Sequence, residues 1–401
     1  YQYVPEPYTL LEGVRKLPAA HTLVLSAKNW NAEPVRYWSI EDVPQISGLP
    51  TDTDDILRCI REGVEDAVTL TLRSDVPVGV ALSGGIDSGA IAALAQKHYP
   101  EPMHAFCVGY PGRPPYDERH QARCLAEQLG MIIHEVELPT DSFVDFFPQL
   151  VRIMDEPIAD PAAFAHYSVP KAAADLGIKV LLTGLGGDEL FWGYPWVTQT
   201  VTTNQLLATS PLLTSMSPFM ASVVTQRFLN KMAHHHRVPS VFQRWASLLR
   251  EVGSVRKPKQ QLPFYTAEPN FNNTLHIKHT VYGPAMRAVS NDNPFRPTDI
   301  GPREVEQIPA AVIRMLFDTW LVSNCLSLGD RVSMGVGVES RLPFLDVRLI
   351  ELMMALRSKQ PDHTLGQKAW LRAALKGVLP EEVLTRPKAG FQPPVGEWLS
   401  G

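Results

Sequence analysis

Val76-Pro77-Val78-Gly79-Val80-Ala81-Leu82 runs without a break into Ser83-Gly84-Gly85-Ile86-Asp87-Ser88, and the reading of this stretch decides the fold. The first seven residues are an apolar, valine-rich run that predicts a buried strand. The two glycines then predict a tight turn into a helix. A strand that ends this way leaves several backbone N–H groups converging at a helix start, where the helix dipole adds positive potential, so the turn is a nest for an anion. Asp87 and Ser88 are of the residue types that cap helices, and capping alone is their plainest role. A Walker-type phosphate loop carries a lysine after its glycines, and Gly79–Gly85 offers none before the helix begins. A carboxylate takes that place, ready for a metal ion bound to phosphate.

Working outward, strand-like and helix-like segments alternate. Strands are predicted over Val76–Leu82, Met103–Val108, Ile132–Leu138 and Lys179–Leu182, with helices over Ser88–Lys97, Asp117–Leu129 and Tyr167–Leu176 between them. Short apolar strands separated by helices imply a doubly wound α/β domain with a parallel sheet and right-handed crossovers, whose ligands sit beyond the carboxyl ends of the strands. A second glycine-rich turn, Thr183-Gly184-Leu185-Gly186-Gly187-Asp188-Glu189, stands at such an end. One Gly-Gly-Asp-Glu by itself is an ordinary turn and helix start. Two such loops at neighbouring strand ends can face one triphosphate, and Asp87 with Asp188 then forms a carboxylate pair of the kind that holds Mg²⁺ together with phosphate oxygens.

Upstream, Asp52–Leu72 carries Ile56, Ile60, Val64, Ala67 and Val68 at helical spacing, with Thr51 or Asp52 as its cap. Residues 1–44 read instead as β hairpins and turns broken by Pro5, Pro7, Gly13 and Pro18, the tail of a separate domain, so two parts are expected, 1–44 and 45–401. Beyond Trp196 the chain turns mainly helical, most clearly over Glu304–Leu328, whereas 254–300 is polar and rich in Pro and Asn and predicts a long surface excursion.

Composition narrows the function. Lys and Arg total 37 against 42 Asp and Glu, a net charge of −5, which argues against nucleic acid as a partner. No run reads as a membrane span or a signal peptide, and a cytoplasmic protein is expected. Four cysteines without CxxC spacing suggest neither a disulfide framework nor a zinc site. His234-His235-His236 reads as a solvated basic turn, since three consecutive residues cannot all face one ion, and Cys325 as a small buried side chain.

Five stretches share their order with one family. Val80–Ser88, Asp155-Glu156-Pro157, Thr183–Tyr194, Asp330–Met334 with Glu339–Asp346, and Arg386-Pro387-Lys388-Ala389-Gly390-Phe391 resemble glutamine-dependent asparagine synthetases, and the first loop resembles the PP-loop pyrophosphatases. The likeness covers nearly the whole chain. It implies a PP-loop sheet with a mainly helical C-terminal part, preceded in residues 1–44 by a short β remnant of a glutaminase domain. The activity implied is adenylation of a small-molecule or peptide carboxylate by ATP with Mg²⁺, release of pyrophosphate, and transfer of the acyl group to ammonia or an amine. By the same resemblance Leu82, Val108 and Gly184 would read adenine through backbone groups. Ser83, Gly84, Gly85, Asp87 and Ser88 would hold the β- and γ-phosphates, Asp87 and Asp188 the Mg²⁺, and Lys388 would be the catalytic lysine. Asp330 and Arg331 are expected to form a structural ion pair or helix-end contact near the site, and Glu339, Arg341 and Asp346 read as scaffold as readily as chemistry.

The chain departs from that family at two places. Leu185 stands where the family commonly has an acidic residue, and Ser323, Asn324 and Cys325 stand where its acceptor pocket is acidic. Leucine cannot take a proton, so another base or an already neutral amine is required. The rival readings are a β-lactam- or macrolactam-type synthetase with an internal or peptide amine, and a non-catalytic relative acting as a scaffold. Glutaminases of this family use an N-terminal cysteine. Tyr1 is no nucleophile, so ammonia is expected from a glutaminase domain that this chain lacks or that a partner supplies. The sequence is compatible with a homodimer and reads as part of a larger or processed chain.

Overall fold

The computed structural model describes residues 2–42, 46–210, 249, 264, 280–289, 304–387, 393–394, 396 and 398. They fall into two compact units, one formed by residues 1–193 with 317–401 and the other by 194–316.

The first unit is built on a parallel sheet of five strands in the order β5-β4-β3-β6-β7. These are β3 (Val78–Ala81), β4 (His104–Gly109), β5 (Ile132–Glu137), β6 (Val180–Leu182) and β7 (Glu339–Arg341). Two shorter strands, β1 (His21–Thr22) and β2 (Val35–Arg36), pair antiparallel outside it, a smaller ladder than the hairpins expected of residues 1–44. In the main sheet the register sets Val78 beside Val180 and Val80 beside both Ala105 and Leu182. From β3 the chain winds outward through β4 to β5, then returns to the other side of β3 with β6. The topological switch therefore lies between β3 and β6, where helices following the two strands diverge and leave a crevice at their carboxyl ends. The alternation expected from the sequence is present. The fifth strand, β7, was hidden because Glu339-Ser340-Arg341 carries no apolar run, and it joins the sheet as a three-residue edge beside β6.

Helices cover the sheet for readable reasons. In α1 (Thr53–Thr71) the spaced residues Ile56, Ile60, Val64, Ala67 and Val68 are all buried, and the Asp52 carboxylate caps the helix by accepting from Asp54 N at 2.9 Å. Each fully buried Ile or Val of that stripe contributes about 1.5–3 kcal/mol. By contrast α2 (Ile86–His98) is buried from Ala90 to Ala95 without a break, as expected of a central helix whose alanines let it lie close to its neighbours. Next come α3 (Arg119–Leu129), α4 (Thr140–Met154) and α5 (Ala163–Asp175), the last starting four residues before Tyr167. The short α6 (Gly187–Leu190) follows β6.

Within residues 194–316 the described helices include α7 (Pro195–Thr209) and α8 (Ile308–Met315). Trp196 meets Phe264 edge-on at 5.3 Å, and Thr200 Oγ1 donates to the Phe264 carbonyl at 3.1 Å. After α8 the chain continues as a π-helical stretch, Leu316–Leu326, and α9 (Ser327–Met334). The whole run Val305–Met334 is long and apolar enough to cross a membrane by composition, which corrects the sequence expectation. Of its apolar window 61% is buried, as in core helices of globular proteins. The chain ends through α10 (Val347–Lys359), α11 (Ala369–Ala374) and α12 (Glu381–Thr385).

Candidate active site

The loops after β3 and β6 nest against each other because glycines allow it. A Cβ at Gly184 would lie 2.6 Å from Ser88 N, and one at Gly187 2.6 Å from Asp87 Oδ1. With hydrogens there instead, the second loop lies on the start of α2 and brings Asp188 to Asp87. Between the two carboxylates stands the ammonium of Lys368, paired with Asp87 and, at 2.5 Å, with Asp188. Its side chain is 1% exposed. Burial is the strongest single influence on this amine and opposes its charge. The two carboxylates together outweigh burial and hold the lysine above its ordinary range.

Lys368 is placed by its backbone. It caps α11 with φ 54°, a left-handed conformation that is costly for a side-chain-bearing residue, and its N–H donates to the Phe191 carbonyl at 3.0 Å. The second loop is pinned from behind by a buried network. Asp362 accepts from Trp192 Nε1 at 2.7 Å and from Arg357 Nε at 2.8 Å, while Arg357 Nη2 donates to the Leu190 carbonyl at 2.5 Å.

In the first loop, Ser88 Oγ accepts from Ser83 N at 3.0 Å, and Ser83 Oγ accepts from Gly85 N at 3.1 Å. Gly85 is the N-cap of α2, and no side chain caps it. Asp87 and Ser88 are thus not employed as caps. Asp87 is turned to Lys368, and Ser88 ties the loop to itself.

These groups line a cavity of about 570 Å³ at the switch point, a volume in the range of small-molecule sites. Of the residues singled out from the sequence, Leu82, Ser83, Gly85, Asp87, Ser88, Val108, Gly184 and Asp188 line it. Gly84 stands behind the wall, its carbonyl taken by Arg386 Nη1. Lys388 lies outside the described residues, as do Ala389–Phe391 and His234–His236, although Arg386 and Pro387 line the cavity. The far wall carries Tyr110, Tyr116 and Glu118, on a loop fixed by the buried Asp117–Arg119 pair at 2.7 Å.

A scan of protein families matches the asparagine synthase model to residues 59–401. The chain belongs to that family. It is 31% identical over 402 residues to a homologue of glutamine-hydrolysing asparagine synthetases in Mycobacterium tuberculosis H37Rv, covering 99% of this chain and 57% of that protein. It is 28% identical over 406 residues to asparagine synthetase (glutamine-hydrolysing) 1 of Bacillus subtilis, covering 100% of this chain and 58% of that one. The chain therefore spans under two thirds of the length of these curated relatives. Among solved structures, an NH₃-dependent NAD synthetase from Campylobacter jejuni aligns at 18% identity over 36% of this chain and 61% of its own, with a TM-score of 0.25.

For an asparagine synthase family member, the neutral segment before Asp330 is split by the structure. Cys325 lines the cavity, but Ser323 and Asn324 are fully buried, with Asn324 Nδ2 donating to Asp160 Oδ2 at 2.9 Å and Ser323 Oγ accepting from Glu6 N at 3.2 Å. Leu185 is on the cavity wall. The expected Asp330–Arg331 contact is replaced. Arg331 pairs with Glu156 at 2.8 Å, and Asp330 lines the cavity. Glu339 pairs with Arg341 at 2.8 Å, and Asp346 accepts from Arg348 N at 3.0 Å to cap α10, so both are scaffold.

Sequence reasoning missed Lys368 and His166, and gave Arg386, quoted only within a motif, no role; all three are on the cavity wall. One signal for Lys368 exists. A lysine at a helix N-terminus sits at the wrong end of the dipole, and burying it there requires anionic partners.

Proposed function

We propose that this chain is the synthetase part of an ATP-dependent, AMP-forming amide ligase, which adenylates a carboxylate, releases pyrophosphate and passes the acyl group to ammonia or an amine. The observation that carries this reading is the convergence of Asp87, Lys368 and Asp188 at the switch-point cavity. Two carboxylates around one ammonium leave one negative charge uncompensated. The pair already closes on a cation, and a divalent ion added beside it reverses the sign to the one a triphosphate requires. The donor set fits Mg²⁺, which needs only one or two protein carboxylates beside phosphate oxygens.

Asp87 and Asp188 would hold that ion, whose chemistry is to neutralise the charge of the departing pyrophosphate. Ser83, Gly85 and Ser88 would orient the β- and γ-phosphates from the wall, with Gly84 shaping the turn behind them. Lys368, unable to leave its two carboxylates without cost, stands as a fixed positive charge beside them. Backbone groups near Leu82, Val108 and Gly184 receive the adenine. Lys388 is assigned to the α-phosphate and acyl oxygen, following two residues of the cavity wall. Ammonia would come from a glutaminase domain, whether joined to this chain or separate.

A second reading, transfer to an amine larger than ammonia, is favoured by Leu185, which makes the wall apolar where an acidic group would greet ammonium. A scaffold role is disfavoured by the intact Asp87–Lys368–Asp188 arrangement. Carboxylate-dependent exchange of labelled pyrophosphate into ATP over a panel of acids tests the proposal. Exchange with at least one acid, lost in Asp188→Ala and Lys388→Ala, is expected, and exchange with none of them defeats it. Product analysis with ammonia and larger amines separates the two acceptor readings.

A further inference from the structure

Leu185 puts an apolar side chain where the family commonly has an acidic one, and the cavity wall supplies a different proton acceptor. When an amine attacks an acyl carbon, its nitrogen must shed a proton in or soon after the transition state. Asp87 and Asp188 are committed to Lys368, and Lys368, Arg372 and Arg386 are cations. The two thiols on the wall stay protonated, because burial pushes Cys107 up to about 12 and lifts Cys325 well above its ordinary value, with Glu189 and Asp160 adding to the effect. Burial likewise raises the Tyr110 phenol.

His166 is the one imidazole among the described wall residues. It stands in the first turns of α5, its backbone N–H bonded to the Ala162 carbonyl at 3.0 Å, and it is an exposed residue that lines the cavity. Desolvation by the protein packed around α5 favours the neutral ring, and the charge of Asp160 works the other way. Asp160 is itself fixed, accepting from Ala162 N at 2.9 Å and from Asn324 Nδ2 at 2.9 Å. The Asn324–Asp160 bond ties the turn that leads into α5 to the segment that carries Cys325, and both His166 and Cys325 line the cavity. A neutral imidazole carries the lone pair that a proton acceptor needs, and the anchored Asp160 carboxylate favours the imidazolium that results.

We propose that His166 is the catalytic base that takes the proton of the incoming amine. The proposal rests on the ligase reading above. The amine lone pair forms the C–N bond, the bond from acyl carbon to the AMP oxygen breaks with its electrons leaving on the phosphate, and the surplus N–H proton passes to the imidazole and then to solvent. Asp330 and Glu118 are the other carboxylates facing the cavity, and Asp330 is the competing acceptor.

The test uses the acid that supports exchange in the wild-type chain, with ammonium chloride and methylamine as amines, and two readouts: pyrophosphate exchange and amide product. In His166→Gln exchange should stay within about twofold, whereas amide formation should fall by about 10²- to 10⁴-fold, the range of general-base catalysis. The rise of wild-type amide formation with pH on the acid side should vanish in the same variant. Amide formation at the wild-type rate in His166→Gln, an equal loss of both readouts, or an amine-specific loss appearing in Asp330→Asn instead each overturns the assignment. A wild-type chain that exchanges with no acid overturns the ligase reading and His166 with it.

Discussion

Lys368 and Glu156 are each held between two opposite charges, yet the two clusters serve opposite ends. Lys368 is bracketed by Asp87 and Asp188 with its side chain 1% exposed. Glu156 is bracketed by Lys16 at 2.5 Å and Arg331 at 2.8 Å with its side chain 22% exposed. The second cluster stitches three segments distant in sequence, the N-terminal strip, the turn after α4 and α9, and it spends modest desolvation on doing so. The first concentrates negative charge on a cavity wall, where a buried ionic group is dear to maintain and gives no assured gain in stability. Charges kept under those conditions are enriched at functional sites, which is the role proposed for these three. Residue types alone would rank the two alike; burial and the sign of the excess charge tell them apart.

Lys368→Met should break the comparison most severely. Removing one member of a buried ionic group costs about 3–5 kcal/mol, because Asp87 and Asp188 are then left facing each other and one of them must take up a proton. The melting temperature should fall accordingly, pyrophosphate exchange should be lost, and MgCl₂ should raise the melting temperature of the variant more than that of the wild type, by occupying the same carboxylates. A variant that melts like the wild type and ignores MgCl₂ would show that the ammonium is not what reconciles the pair.

Gly184→Ala follows in size. The added methyl would lie 2.6 Å from Ser88 N and 2.9 Å from the Asp87 carbonyl carbon, so backbone must shift. Overpacking of this kind costs about 1–3 kcal/mol, and a displacement of the two loops by about 1 Å should lower exchange by about 100-fold. Gly13→Ala, where a Cβ meets nothing within 4 Å, is the control on the other region, and there only the positive φ of 76° is disturbed. Its stability should fall by about 1 kcal/mol and its exchange should not change.

The parts of the molecule readable from sequence are those in which chemistry and local pattern coincide. Val78–Ala81 and Val180–Leu182 announce strands by apolar runs, and the glycines and carboxylates that follow announce loops meeting at a switch point. Lys368 escaped because its meaning lies in three-dimensional convergence; Gln367-Lys368-Ala369 reads as a polar helix start unless Asp87 and Asp188 are known to arrive there. His166 escaped for a similar reason, being one polar residue in the otherwise apolar stretch Ala162–Tyr167. The structural ion pair or helix-end contact expected of Asp330 and Arg331 takes the form of an Arg331–Glu156 pair, since neighbours on a helix point in different directions and adjacency along the chain does not name the partner. Ser323 and Asn324 were taken for pocket residues on position alone, and their burial away from the cavity leaves Leu185 and Cys325 to shape that wall.

The finest separation of the two clusters is by pH. Burial is the largest influence on Glu156 and raises it, but the Lys16 hydrogen bond and the Arg331 charge together hold the carboxyl below its ordinary range. A folded value below the unfolded one, about 4.3, contributes stability that is present above the unfolded value and is lost as the pH falls through the folded one. Lys368 is raised, so its contribution is full below the unfolded value of about 10.4 and is lost as the pH climbs through the folded one. Glu156→Gln should therefore lower stability by about 1 kcal/mol at neutral pH, flatten the acid limb of denaturant-measured stability, and leave pyrophosphate exchange intact. Lys368→Met should flatten the alkaline limb instead. Were Glu156→Gln to change the alkaline limb or to abolish exchange, the division between a stitching cluster and a working one would fail, because Glu156 would then be acting on the cavity that Asp330, next to its partner Arg331, helps to line.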